Sequence, residues 1–276
     1  MRLPIAQWSI LPELLTPDLL VFLACAALLA GFIDAIAGGG GLITIPALLS
    51  TGMPPAAALA TNKLQGSFGT AMATITFWRA GQIELKAMAF TVACVFAGSA
   101  AGTLLVRMTG TGFMMALIPI LLVAIAVYFL FSPRVGDVEA KARMTLPAFS
   151  LTVGIAVGFY DGFFGPGTGS FFALGCVALL GMNMRRATAN TKLLNFTSNV
   201  VSLGVFALGG QIVWKAGLIM ALAQVIGAWA GSHAALRFGT KLVRPLLVIV
   251  CLGMTIRLVA QPDHPLYLLV RDLFAA

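Results

Sequence analysis

The sequence predicts an all-α polytopic membrane protein of two repeats, each a glycine-broken, re-entrant helix pair followed by three transmembrane helices. Three observations predict it. The chain is 60% hydrophobic and only 9% charged over 276 residues, far from the composition of a soluble domain. Its apolar runs suit helices of about 20 residues and carry the small residues that helix interfaces in lipid use, whereas the period-2 alternation of a barrel is absent. An acid-bearing, glycine-broken segment occurs twice, as GFIDAIAGGGGLITIP at 31–46 and GFYDGFFGPGTGSFF at 158–172.

Residues 1–18 contain Pro4, Pro12, Pro17, Glu13 and Asp18, and read as an interfacial lead-in rather than a cleavable signal. The first apolar run, 19–37, is stopped by four glycines. The run after them, 42–50, reaches roughly 14 Å at 1.5 Å per residue, about half a bilayer. Gly52, Pro54 and Pro55 end it and start a helix that runs to 79. Helices at 87–106 and 113–131 follow. The charged stretch 132–145 is the linker between a first membrane repeat, 1–131, and a second, 146–276. That second half has a run at 146–164, a Gly and Pro break, a short arm at 170–180, and helices at 187–208, from there to 236, and at 242–259.

The duplication can be checked by register. Lys63 and Lys192 are 129 residues apart, as are Gln82 and Gln211, Lys86 and Lys215, and Gly102 and Gly231. Asp34 and Asp161 are 127 apart, which assigns two extra residues to the second break. If each break interrupts one spanning helix, the repeats are parallel, and the Lys and Arg outside the helices divide nine to six between the two faces. If each break is a hairpin tip, they divide ten to five. The stronger bias favours inverted repeats with both termini outside the cytoplasm.

Bare backbone at membrane depth must be buried in protein or line a wet cavity. Gly38, Gly39, Gly40 and Gly41 leave N–H groups open where the next helix begins, and such an end favours an anion. Gly165, Gly167, Thr168, Gly169 and Ser170 offer the same in the second copy. The competing reading is that these glycines only permit a tight tip. Lys63, Ser67, Thr70 and Thr74 form a polar stripe at helical spacing, matched by Lys192, Asn195, Asn199 and Ser202. Intramembrane ionisable residues usually mark pathways, so the lysines are read as anion ligands, against the alternative that they snorkel to the interface. Asp34 and Asp161 have three open roles: pairing with the lysines, capping the tips, or carrying protons.

Other classes of function find little support. The net charge of +8 comes from dispersed residues, a positive-inside signal without the basic patch of a nucleic-acid binder. Cys25, Cys94, Cys176 and Cys251 lie singly in apolar runs, which argues against zinc or disulfides and for buried, inert thiols. His233 has no counterpart in the repeat and His264 lies in the polar tail. No Ser/His/Asp, HExxH or Walker arrangement is present, so neither an enzyme nor a cofactor is expected.

With these residues in view, AGFIDAIAGGGGLITIPALLSTGMPPAAALATNKLQGSFG at 30–69 and its partners GFYDGFFGPGTGSFF and ATANTKLLNFTSN resemble the signatures of the TauE/SafE family of anion transporters, its YfcA-like members above all. The resemblance covers nearly the whole chain. It implies a multi-pass permease of the bacterial inner membrane, in a family whose characterised members move sulfite and organosulfonates, mostly outward. The substrate site is then expected at the two breaks, with Thr44 and Asn62 added to the residues above. Expected partners are a small anion, protons as coupling ion, membrane lipid and a second copy of the chain. The alternatives are an anion channel and a non-transporting membrane partner of a sulfur-metabolism complex.

Overall fold

Pro17 occupies the first turn of the first helix behind Thr16 at its N-cap, where a missing N–H costs nothing. The computed structural model describes residues 16–110 and 141–238, and between them 112–115, 117, 118, 120, 121 and 124. Among the described residues the regular structure is all helical: α1 (Pro17–Ala37), α2 (Gly41–Leu49), α3 (Pro55–Arg79), α4 (Leu85–Met108), α5 (Leu146–Phe163), α6 (Thr168–Ala178), α7 (Met184–Ala207) and α8 (Trp214–Phe238). Most of the expected lead-in, of the 113–131 helix and of the linker, and the 242–259 helix lie outside the described residues, while Pro17 and Asp18, expected in the lead-in, belong to the first turn of α1.

Helices α1, α4, α5 and α8 are long and apolar enough to cross a membrane. Helices α3 and α7 are as long, with 25 and 24 residues, but more polar because their polar stripes turn inward. Lys63, Ser67, Thr70 and Thr74 are buried, as are Lys192, Asn195 and Ser202. The outer surface is instead apolar, with Phe90, Phe96, Leu104, Leu222 and Ile226 exposed, which is what a lipid-facing wall requires. Cys25 lies on that exposed wall while Cys94 and Cys176 are buried. The reading of all the thiols as buried therefore fails at Cys25, which sits on the outer stripe of α1.

The long helices pack through glycine. A methyl added at Gly98 or Gly102 of α4 would run into the carbonyl of Ile155 or Phe159 in α5, and one at Gly227 or Gly231 of α8 into the carbonyl of Leu28 or Phe32 in α1. Small residues four apart let backbones approach this closely. Each crossing joins a helix before residue 110 to one after residue 141, so the two halves of the chain interleave in one core. In α5 the turn Ser150–Gly154 is π-helical, and Ser150 Oγ lies 2.7 Å from Thr91 Oγ1 of α4.

Both breaks have the same acid-to-arm spacing, from Asp34 to Gly41 and from Asp161 to Thr168. The second arm has 11 residues against 9 in the first. The two extra residues therefore fall in helix α6 and not in the break, as the sequence register suggested. Helical arms absorb such a length change with one another half turn, whereas the backbone of the tip is fixed by its contacts.

Candidate functional site

At the end of α1 the chain turns through Gly38, whose φ of +72° favours glycine and whose N–H bonds Asp34 O at 2.9 Å. A methyl at Gly38 would sit 2.5 Å from Gly169 Cα, so the two breaks meet backbone to backbone. Ser170 Oγ joins them further, within 2.7 Å of both Ala37 O and Gly38 O. Side chains on these two tips then face the centre of the core.

The acids are engaged by the lysines of the opposite half. Lys63 Nζ of α3 lies 3.0 Å from Asp161 Oδ2 of α5, an ion pair by distance whose ammonium makes no well-directed hydrogen bond. Asp161 also accepts from Thr168 Oγ1 at 2.8 Å and from Ser198 Oγ. Lys192 Nζ of α7 donates to the backbone carbonyl of Asp34 and lies 3.5 Å from its Oδ2. Asp34 Oδ1 in turn accepts from Gly39 N at 3.0 Å and Gly40 N at 3.1 Å. Two of the four N–H groups expected to be open at the first tip, those of Gly39 and Gly40, are thus closed by the chain's own carboxylate, and that of Gly38 by the Asp34 carbonyl. A carboxylate three residues before the helix end can curl back onto them because the glycines carry no side chain in the way.

Between the tips is a polar cavity of about 30 Å³, room for on the order of two waters or a small ion. Asp34, Gly39, Gly40, Gly41 and Asn62 from the first half line it, with Asp161, Gly165, Gly167, Thr168, Gly169, Asn195 and Asn199 from the second. Six expected residues stand behind this wall. Thr44 bonds Asn62 Oδ1 at 2.6 Å, Ser67 bonds Lys63 O at 2.7 Å, and Gly38 and Ser170 hold the tips together. Lys63 and Lys192, 2% and 0% exposed, lie behind the acids, and they do not snorkel. A buried ion pair rarely adds stability over an apolar replacement, so two of them beside a cavity point to use rather than to support.

The wall also includes Gln65, Gly66, Thr70 and Gln224. Gln65 bonds Asn62 Oδ1 at 2.7 Å, and its place three residues after Asn62 was the available signal. Gln224 was missed. It is the one amide between Lys215 and Ser232 in an apolar helix, and its repeat counterpart, Val95, gives no hint. Gln65 Oε1, Asn195 Oδ1 and Gln224 Oε1 are buried without a hydrogen-bond partner. Among the described residues no three of His, Cys, Asp and Glu come together as metal ligands would.

Residues 23–258 match the family described as Sulfite exporter TauE/SafE. The chain is 51% identical to the probable membrane transporter protein ORF9 of Sinorhizobium sp, over 90% of this chain and 95% of that one. It is 49% identical to a probable membrane transporter protein of Haemophilus influenzae, over 88% and 95%. It is 48% identical to the probable membrane transporter protein YfcA of Escherichia coli K12, over 89% and 91%. No solved structure matches the chain.

Proposed function

The chain belongs to the sulfite exporter TauE/SafE family, a family of multi-pass membrane transporters, and from that premise we propose that it exports a small anion, sulfite or an organosulfonate, by secondary active transport. The observation that carries this reading is the polar cavity where the two glycine breaks meet, flanked by two buried lysine–aspartate pairs. Broken helices meeting at a repeat interface are where transporters bind substrate. Alternating access would open this cavity first to one side and then to the other, in the bacterial inner membrane. Two inverted repeats on either side of the linker fit the reciprocal pairing, in which each half supplies the lysine for the other half's acid. The re-entrant course of the first tip is supported by Gly40, where a methyl would lie 3.1 Å from Ala30 O, back along α1.

The test is efflux of sulfite and of sulfoacetate from loaded vesicles containing the purified protein. Saturable efflux, accelerated by the same anion outside, is expected. Flow that neither saturates nor responds to outside anion would overturn alternating access and leave a channel. Lys63→Ala and Lys192→Ala, if folded, should each abolish it.

A further inference from the structure

Resting on that anion-transport reading, we propose that Asp34 is a built-in occupant of the anion cradle and the carrier of the coupling proton. The entering anion displaces its carboxylate from Gly39 and Gly40 as Asp34 takes up a proton, while Asp161 stays ionised. The two acids occupy matched places but are held differently. Asp161 is fixed by side chains alone, Lys63, Thr168 and Ser198, and is 5% exposed. Asp34 is held by the two backbone amides at the start of α2, is 13% exposed, and shares Lys192 with its own backbone carbonyl.

Those amides head a nine-residue helix, and such an end binds anionic oxygens. In this state it binds an internal one. The other donors an anion would need are close by: the amide groups of Gln65, Asn195 and Gln224, which line the same cavity and are 1%, 5% and 3% exposed, each have an oxygen without a partner. Which end of an amide faces inward is set by what it meets, and an oxyanion would turn the N–H₂ groups of Asn195 and Gln224 toward it, while that of Gln65 stays on Asn62 Oδ1.

Charge then requires the proton. Lys63, Lys192, Asp34 and Asp161 sum to zero, and a monoanion among them would leave one uncompensated buried charge, which is costly. One proton taken from the bulk solvent onto the Asp34 carboxylate makes it a neutral acid and restores the balance: its ion pair with Lys192 is given up, the ammonium keeps the backbone carbonyl of Asp34, and its charge is met by the entering anion. The charged groups around Asp34 are Lys192 from α7 and, across the cavity, Asp161 of α5 with Lys63 of α3 behind it. The cavity walls given by α2, α6 and α8 are Gly41, Thr168, Gly169 and Gln224, none of them ionisable. Anion and proton therefore cross together and the transport cycle is electroneutral, so net export runs where the outward anion gradient exceeds the inward proton gradient.

The experiment uses purified full-length protein and methanesulfonate, an anion that takes up no proton of its own near neutral pH. Binding is read as thermal stabilisation and proton uptake with an indicator dye in weak buffer. Wild type should be stabilised and take up about one proton per site bound. Asp34→Asn should be stabilised without uptake. Stabilisation of wild type without uptake, or uptake surviving in Asp34→Asn, overturns the proposal and leaves the anion site standing. No stabilisation of wild type by methanesulfonate at any pH at which it is folded overturns both. Should Asp34→Asn not fold, infrared difference spectra of wild type with labelled aspartate decide: a protonated-carboxyl band appearing with methanesulfonate is expected, and its absence refutes the assignment.

Discussion

Lys192 and Asp34, 158 positions apart, meet at the end of α1, where the ammonium reaches the backbone carbonyl of Asp34 and lies 3.5 Å from its carboxylate. A cation at a helix C-terminus also complements the helix dipole, so one side chain both finishes α1 and neutralises the acid. Lys192→Met should destabilise the protein by about 3–5 kcal/mol by leaving a buried carboxylate unpaired. Adding Asp34→Asn should recover most of the loss, as read by unfolding in detergent.

The second pair gives an independent cycle. Lys63→Met is expected to cost a similar amount and to be rescued by Asp161→Asn, not by Asp34→Asn, because the acid paired with Lys63 among the described residues is Asp161. Rescue by the wrong acid would show that the pairing is not the one described.

Gly38 is tested against Gly52. Both have positive φ, but only Gly38 faces another backbone, whereas nothing lies within 4 Å of a methyl at Gly52. Gly52→Ala should cost about 1 kcal/mol from backbone strain. Gly38→Ala should cost more and abolish transport, because the tips must separate. Melting and vesicle efflux measure the two effects.

Ser170→Ala removes the hydroxyl that joins the second arm to Ala37 and Gly38. The loss of a buried bond should cost about 1–3 kcal/mol and slow efflux, while α6 stays folded.

Gln224→Leu fills the cavity wall with an apolar group of similar size. It is expected to raise the anion concentration for half-maximal efflux about tenfold, equivalent to about 1.4 kcal/mol of binding, without lowering the melting temperature.

The helices were legible because their boundaries are written locally. Pro55 and the glycines of both breaks start or stop helices by rules that need only neighbours, whereas the helices that begin at Pro17 and Met184 were read from 19 and 187. The polar stripes on α3 and α7 likewise pointed inward by spacing alone. What spacing could not show was partnership. That Lys63 reaches Asp161 and Lys192 reaches Asp34 depends on how the halves interleave, which glycines far apart in sequence decide. The same gap hid the closure of Gly39 and Gly40 by Asp34, since an acid and a free helix end look alike whether or not they meet. Gln224 was hidden for a different reason: a single amide in an apolar helix carries no period.

The crossed pairing also bears on how the protein is made. As the chain emerges, α3 carries Lys63 into the membrane long before Asp161 exists to meet it, and α1 waits for Lys192 and α8. Helices α3 and α7 fall short of the apolarity of the four spanning helices, and a lone lysine at a helix centre opposes insertion. The first half alone thus holds Lys63 without its acid and Asp34 without its lysine, and its insertion is expected to depend on the second half, as membrane insertion of residues 1–131 alone against the full chain would measure.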